Sequence, residues 1–467
     1  MTLINPSSAV LALSLTLVSV SAHAQDLTVN AGETYINAGT LNNNIGDTLS
    51  NFGDLTNNDT LNNDDTLNND GTLNNYDVLN NNDYGTLNNN LGGTLDNDGT
   101  LDNYGTLNNI GKLNNNDTLE NDYGTLNNAG TLNNNGVLEN KVGTLNNNDT
   151  LDNYGTLTNN DTLTNNDTLT NNSSGMLNNT GTLTNNDSLS NYDGTLTNNG
   201  TLTNNDTLDN YGTLTNNDTL TNNDTLVNNY TLTNNDTLNN DGTLDNYGKL
   251  NNTGTLTSTG TLNNTSFGTV FVTGGTVDAT TIDNNGIFNF TGGTLSVDTF
   301  NGDLDNTGGF LSPGNSPGTT TINGNYSQDE FSTLLIEIAG TMAGSEYDVL
   351  DVTGNASLDG VLRLDLLDAF APTEGDAFVI LQSANILGEF DSFFSTSSLS
   401  EGLAWELDYN INVGGDDFLT ALVSAEPVSA SFLLDGDDFA VAQASSVRVA
   451  SAQVPSVPIP GAVRALR

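Results

Sequence analysis

A leucine returns every six residues for more than two hundred residues. Thirty-six leucines between Leu41 and Leu262 keep this beat: 28 intervals are six residues long, three are seven and four are eight. A helix presents one face about every 3.6 residues, so a period of six is not helical. It fits a short strand, Thr-Leu-Thr, with leucine inward and threonine outward, followed by a three-residue corner such as Asn-Asn-Asp or Asn-Asn-Gly. The stretch TLTNNDTLTNNDTLTNN, 156–172, shows the unit in its plainest form. Asn, Asp and Gly tolerate the left-handed backbone, which is expected to make the sharp corners. One such unit cannot bury its own leucine, whereas stacked coils bury all of them in a continuous column.

The irregular residues set the size of the coil. Counting leucines from Leu41, the corner tyrosines Tyr154, Tyr192, Tyr211, Tyr230 and Tyr247 follow leucines 18, 24, 27, 30 and 33. Tyr84, Tyr104 and Tyr123 follow leucines 7, 10 and 13, while Tyr76, after leucine 6, stands apart. Six of the seven lengthened intervals fall on these same corners; the one after Leu87 does not. Tyrosines and insertions thus share one edge, which moves by one corner between Leu138 and Leu151. Three units per coil predicts an all-β, single-chain triangular solenoid with 18-residue coils, followed by a β-rich C-terminal cap domain. Twelve coils span about 58 Å at the strand spacing. Asparagines stacked at the corners should form amide ladders between coils.

Composition alone leaves two alternatives open. Hydrophobic residues make up 34% of the chain and its net charge is −50, from 7 Lys+Arg against 57 Asp+Glu. Such a balance borders on disorder, although a disordered tract has no need of a regular leucine. The hexapeptide acyltransferase β-helix shares the 18-residue coil, but it wants a small residue four positions after its aliphatic one. Asp, Gly or an inserted Tyr stands there in this chain. Strong acidity disfavours nucleic acid and anionic membranes as partners and suits divalent cations.

Residues 1–24 read as a signal peptide. The apolar run Ala9–Val20 is too short to span a bilayer and is followed by Ser-Ala-His-Ala, an A-x-A cleavage pattern. The segment has no Lys or Arg. No other stretch is long enough to cross a membrane as a helix. The rest divides into an N-terminal cap (25–40), the solenoid (41–265), wider β-helical coils (266–325), a C-terminal β-rich cap domain (326–426) and a flexible tail (427–467).

The sequence offers no catalytic constellation. There is no cysteine, and the only histidine, His23, lies in the segment read as a leader, so Ser-His-Asp and Cys-His systems and nearly all catalytic zinc sites are excluded. Lys112, Lys141, Lys249, Arg363, Arg448, Arg464 and Arg467 are scattered rather than grouped with acids. No catalytic, cofactor-binding or metal-binding residue is assigned and no cofactor is expected. Asp149, Asp167, Asp187, Asp206 and Asp224 should stack in consecutive coils about 5 Å apart, where neighbours repel by about 0.8 kcal/mol even in water. Calcium would relieve that repulsion; a screened, hydrated face tolerates it. The repeat also spells glycosylation sequons, as at Asn58, Asn160 and Asn217, as an automatic consequence of its wording.

The segment LSPGNSPGTTTINGNYSQ, followed by LIEIAG, EYDVLDVTGNASLDGVLRLDLL, GDAFVILQS and GEFDSFF, resembles the C-terminal end of β-helical passengers in bacterial autotransporter adhesins. The resemblance covers roughly 292–394 and implies export to a Gram-negative-type cell surface, associated with the outer membrane. Such proteins continue into a membrane β-barrel; the residues after Phe394 are too few for one. Val457–Val463, reading VPIPGAV after VPS, resembles the start of a Val-Pro-x-Pro C-terminal sorting tag, with Arg464 and Arg467 as its basic end. A Pro-rich disordered terminus reads equally well.

The functional expectation is an exported, non-enzymatic structural or adhesin-like surface protein with a surface ligand of unknown identity, a glycan or matrix component. Two other classes stay open: a β-helical polysaccharide-processing enzyme, and a calcium-responsive surface-layer or ice- or mineral-facing scaffold, because a flat threonine-bearing face can order a lattice.

Overall fold

The computed structural model describes residues 26–426 apart from 315–316 and 413–414, with short backbone pairings at Val18–Ser19, Ala22–His23 and Arg448–Ala450. The assigned leader and tail, including the Val457–Val463 motif, otherwise lie outside the described residues. The chain divides into two compact units, Met1–Phe288 and Asn289–Arg467. No helix occurs among the described residues.

The first unit is a parallel β-solenoid with three faces. Each strand pairs in register with the strand three before and the strand three after it. Thr201–Asn204 lies between Thr182–Asn185 and Thr219–Asn222, leucine opposite leucine and asparagine opposite asparagine. Thr207–Asn210 is set the same way between Ser188–Asn191 and Thr225–Asn228. Thr213–Asn216 sits between Thr195–Asn198 and Thr231–Asn234. These three stacks are termed the third, first and second faces. All thirty-six leucines are at most 1% exposed. At about 1.5–3 kcal/mol per fully buried leucine, the columns are the main apolar stabilisation of this unit.

The strand is one residue longer than expected. It runs Thr-Leu-X-Asn, and its burial alternates out, in, out, in. The asparagine that ends each strand therefore faces the core, and the corner shrinks to two residues. The predicted amide ladders exist, but their main members lie inside. Asn204 Nδ2 donates to Asn222 Oδ1 at 2.8 Å and to the Thr225 carbonyl at 2.9 Å, while its Oδ1 accepts from Asn185 at 2.7 Å. Three such ladders run beside the three leucine columns. An amide is suited to this position because its donor and acceptor let each residue satisfy the next copy of itself.

The ordinary corners turn without left-handed residues. Within the repeat, positive φ occurs at Gly46, Gly92, Tyr123, Ser174 and Asp193, all in lengthened corners. The corner glycines answer a different need. A Cβ on Gly242 would run into the carbonyl oxygen of Asp224 in the preceding coil.

The same register extends past both ends of the leucine run. Tyr35 takes the inward slot opposite Leu55, and Asn37 heads a ladder by donating to Asn57 Oδ1 at 2.7 Å. After Leu262, Val270, Val277 and Ile282 fill the slots opposite Leu250, Leu256 and Leu262. Two ladders end there: Asn252 meets Val272 and Ser258 meets Ala279.

The second unit has longer, unequal strands and a different core. Parallel pairing joins Thr333–Ile338 to Val361–Leu366 and Val349–Leu358 to Ala377–Gly388. It ends in an antiparallel set, in which Asp417–Ala425 lies between Ala377–Gly388 and Leu403–Asn410. Aromatic rings replace the ladders: Phe378 packs edge-on against Tyr347 at 5.2 Å and lies 5.9 Å from Trp405.

Candidate functional site

In the solenoid the inward positions belong to leucine and asparagine, so chemistry is left to the outward residues and the corners. The five aspartates singled out from the sequence do stack at one corner, each following a strand of the third face. Their partners are local. Asp149, Asp167, Asp206 and Asp224 each accept from the hydroxyl of the next threonine at 2.9–3.1 Å. Beside them the corner asparagines form an exposed ladder, with Asn166, Asn186, Asn205 and Asn223 each donating to the residue one coil earlier. Among the described residues no group of three or more acidic or histidine side chains is placed to hold a metal ion.

The tyrosine edge is present with one displacement. Tyr192, Tyr211, Tyr230 and Tyr247 all follow strands of the first face, which pair in unbroken sequence. Tyr192 and Tyr211 bring their rings to 6.0 Å. Tyr230 occupies the second corner position instead of the first, and Gly248 lies over its backbone. The sequence carries that offset. Tyr192, Tyr211 and Tyr247 directly follow the strand-ending asparagine, whereas Asn229 intervenes before Tyr230.

Two groups of charges were not anticipated from the sequence. On the second face, Asp102, Glu120 and Glu139 stand opposite one another in consecutive coils, and Lys141 pairs with Glu120. Burial, then Glu120, raises the proton affinity of Asp102. In the second unit, Glu337 lies opposite Asp365 on the neighbouring strand, and Arg363 grips Asp365 with two nitrogens at 2.9 and 2.6 Å. Burial raises the Glu337 pKa, Asp365 adds to the rise and Arg363 opposes it. Nearby Asp348 is fully buried and accepts from the backbone N–H of Gly318 at 2.7 Å and of Glu337 at 2.8 Å. Burial pushes its pKa up to about 7 despite those two bonds. Asp348 thus ties one turn to one strand. Glu337, Arg363 and Asp365 are the one place among the described residues where carboxylates and a guanidinium meet, and the two carboxylates are of the type that acid–base work on a polysaccharide uses.

No helix among the described residues is long and apolar enough to cross a membrane. No protein-family model matches this chain, and no curated protein matches it.

Proposed function

We propose that this chain is an exported, non-enzymatic structural or adhesin-like cell-surface protein that presents a rigid, acidic, Asn/Thr-rich β-solenoid. The observation that carries this reading is the commitment of the interior. From Leu41 to Asn264 the inward slots hold leucines packed in columns and asparagines bonded to their own copies, with one serine at position 258. Such a body offers its surface rather than a cleft. The leader-like N-terminus and the passenger-like segment at 292–394 support display outside the cell. The ligand class that fits is a glycan or another matrix component. Fractionation of cells carrying a tagged copy, together with attachment and biofilm measured in a deletion strain, tests the proposal. Export with reduced attachment is expected; a cytoplasmic chain with unchanged surface behaviour would sink it.

Glu337, Asp365 and Arg363 favour one second reading, a β-helical polysaccharide-processing enzyme. Turnover by the purified chain on acidic or neutral polysaccharides, lost in Glu337→Gln, would establish it. No turnover across the panel removes it.

A further inference from the structure

The three faces of the solenoid do not share its charge. Asp54, Asp96, Lys112, Asp152, Asp209, Asp245 and Asp283 point outward from the first face, and Asp102, Glu120, Glu139 and Lys249 from the second. The third face carries none before Asp278, which lies opposite Thr257 beyond the leucine run. From Thr48–Asn51 to the Thr255–Ser258 strand segment, twelve strands pair in sequence, and every outward residue is Thr, Ser or Asn. The first outward position is threonine in all twelve. In a chain of net charge −50, twenty-four neighbouring outward positions without one acid form a separate surface.

The second outward row of this face changes partway along. Asn88, Asn108, Asn127 and Asn146 each donate to the asparagine one coil earlier, at 2.9–3.0 Å, and so satisfy one another. Thr164, Thr184, Thr203 and Thr221 then replace them, and among the described residues their hydroxyls have no side-chain partner. The bulges move at the same place. Before Thr144, lengthened corners follow Leu41, Leu79, Leu119 and Leu138 on one edge of the third face and Leu87 on its other edge. After it they follow Leu169 and Leu189, on the corner opposite that face. Both rims of the Thr-X-Thr part are then plain two-residue corners. Nothing overhangs it.

The occupant follows from this chemistry. It is uncharged, because an anion would be repelled by the acids at both rims and a cation would be drawn to those rims rather than to a face that offers it no counter-charge. It is periodic, because the hydroxyls and methyls repeat at about 4.8 Å along the axis and about 6.8 Å across it. It does not present sugar rings, because no aromatic side chain stands on the face to stack against them. We propose that the third face, centred on Thr162, Thr164, Thr182, Thr184, Thr201, Thr203, Thr219 and Thr221, docks the ordered water of an ice surface. The hydroxyls join the lattice and the methyls fill the gaps between its waters. An ionic group would orient water around itself and break that order. Thr162 and Thr219 already hold their hydroxyls toward the rim, donating to Asp161 and Asp218 at 3.2 and 3.1 Å.

This inference rests on the reading of a displayed scaffold and adds a ligand for its third face, separate from the glycan or matrix component proposed for the whole. The purified chain decides it by partition into slowly growing ice and by thermal hysteresis. The variants are Thr182→Lys and Thr201→Lys on the third face, with Thr243→Lys on the first face as control. Lysine fits the first outward position, since Lys112 and Lys249 already occupy it, and an unchanged β-sheet circular dichroism spectrum certifies the fold. The native chain and Thr243→Lys should enrich in ice, and both third-face variants should lose that enrichment. Exclusion of the native chain from ice, or equal behaviour of all three variants, overturns the inference. So does retention on microcrystalline cellulose or chitin without ice enrichment, or a dimer in sedimentation that the third-face variants abolish. A chain exported yet excluded from ice overturns this inference alone. A chain that enriches in ice but stays in the cytoplasm overturns only the surface assignment.

Discussion

The two units bury polar groups by opposite means. In the solenoid each buried amide finds its partner in its own copy one coil on, so a single six-residue word solves the problem dozens of times. In the second unit every buried polar group needs a partner of its own. Asp348 needs Gly318 and Glu337, Asp417 needs Ile386 and Asn412, and Tyr326 donates to Gln328 at 2.7 Å. Neither unit pairs every such atom: Trp405 Nε1, Glu337 Oε2 and Ser383 Oγ are buried without a partner in the second, and Asn43 Oδ1, Asp102 Oδ1, Asn172 Nδ2 and Asn229 Nδ2 in the first. Periodicity therefore lets a chain with only 34% hydrophobic residues hold a core, because the ladders do what a wider apolar interior does elsewhere.

The most severe way to break this contrast is a charge in the leucine column. Leu220→Asp places a carboxylate among Leu202, Leu238 and their neighbours, where nothing can pair with it. A loss of at least about 4 kcal/mol is expected, comparable to leaving a buried charge without its partner. The measurement is urea unfolding followed by circular dichroism. Trp405 is the only tryptophan and lies in the second unit, so its fluorescence should keep its own transition. A shift of both signals together would mean that the units do not unfold separately.

Ladder position should matter next. Asn204→Val orphans Asn222 Oδ1, at roughly 1–3 kcal/mol for such a group, and also takes a donor from the Asp206 and Thr225 carbonyls and one of three acceptors from Asn185. Asn252→Val sits where the ladder already ends against Val272: the Gly254 and Thr276 carbonyls lose a donor and Asn234 one of its acceptors, but no side-chain oxygen is orphaned. The second variant should cost less than the first, by the penalty of the one orphaned oxygen. Equal costs in a denaturant titration would show that the amides act singly and not as a ladder.

A pH-dependent effect belongs to the second unit. Asp348 has an ordinary value of 3.8 that burial raises to about 7 in the folded chain. Across that window the folded form keeps a proton that the unfolded form has released. Stability must fall as pH rises from about 4 to about 7, and level off above it. Glu337 is shifted the same way and adds to the slope. The Trp405 unfolding midpoint should follow this fall and lose most of it in Asp348→Asn. A midpoint that rises over the same range would mean that the two N–H bonds outweigh burial.

How much was legible follows the same division. The leucine period, the three-unit coil, the tyrosine edge and the aspartate stack were all readable, because a repeat writes its geometry into its spacing. The inward asparagine was assigned to a corner because an amide reads as a turn residue. Yet Asn or Ser stands two places after every leucine of the run, and that fixed place was the available signal. The partners in the second unit lie 30 residues apart for Asp348 and Gly318 and 31 for Asp417 and Ile386. No local pattern connects them, so Asp348 and Glu337 were missed.

The tyrosine edge gives the finest test of how far repetition itself stabilises. Tyr192 and Tyr211 share a ring contact at 6.0 Å with both rings about half exposed. Aromatic pairs contribute about 0.5–1.5 kcal/mol beyond burial, and exposure places this one near the lower bound. Tyr230 stands one corner position away from that line, between Gly212 and Gly248, so it interrupts the row before Tyr247. Tyr211→Ala is therefore expected to cost about 0.5–1 kcal/mol, and Tyr230→Ala less. A double-mutant cycle on Tyr192 and Tyr211 isolates the ring term from the loss of each side chain alone. Exchanging Asn229 and Tyr230 moves the tyrosine to the first corner position, in line with Tyr211 and Tyr247. That exchange should raise the midpoint of the solenoid transition by a few tenths of a kcal/mol per new contact. No gain would show that the rings lie beside one another only because the coils beneath them repeat.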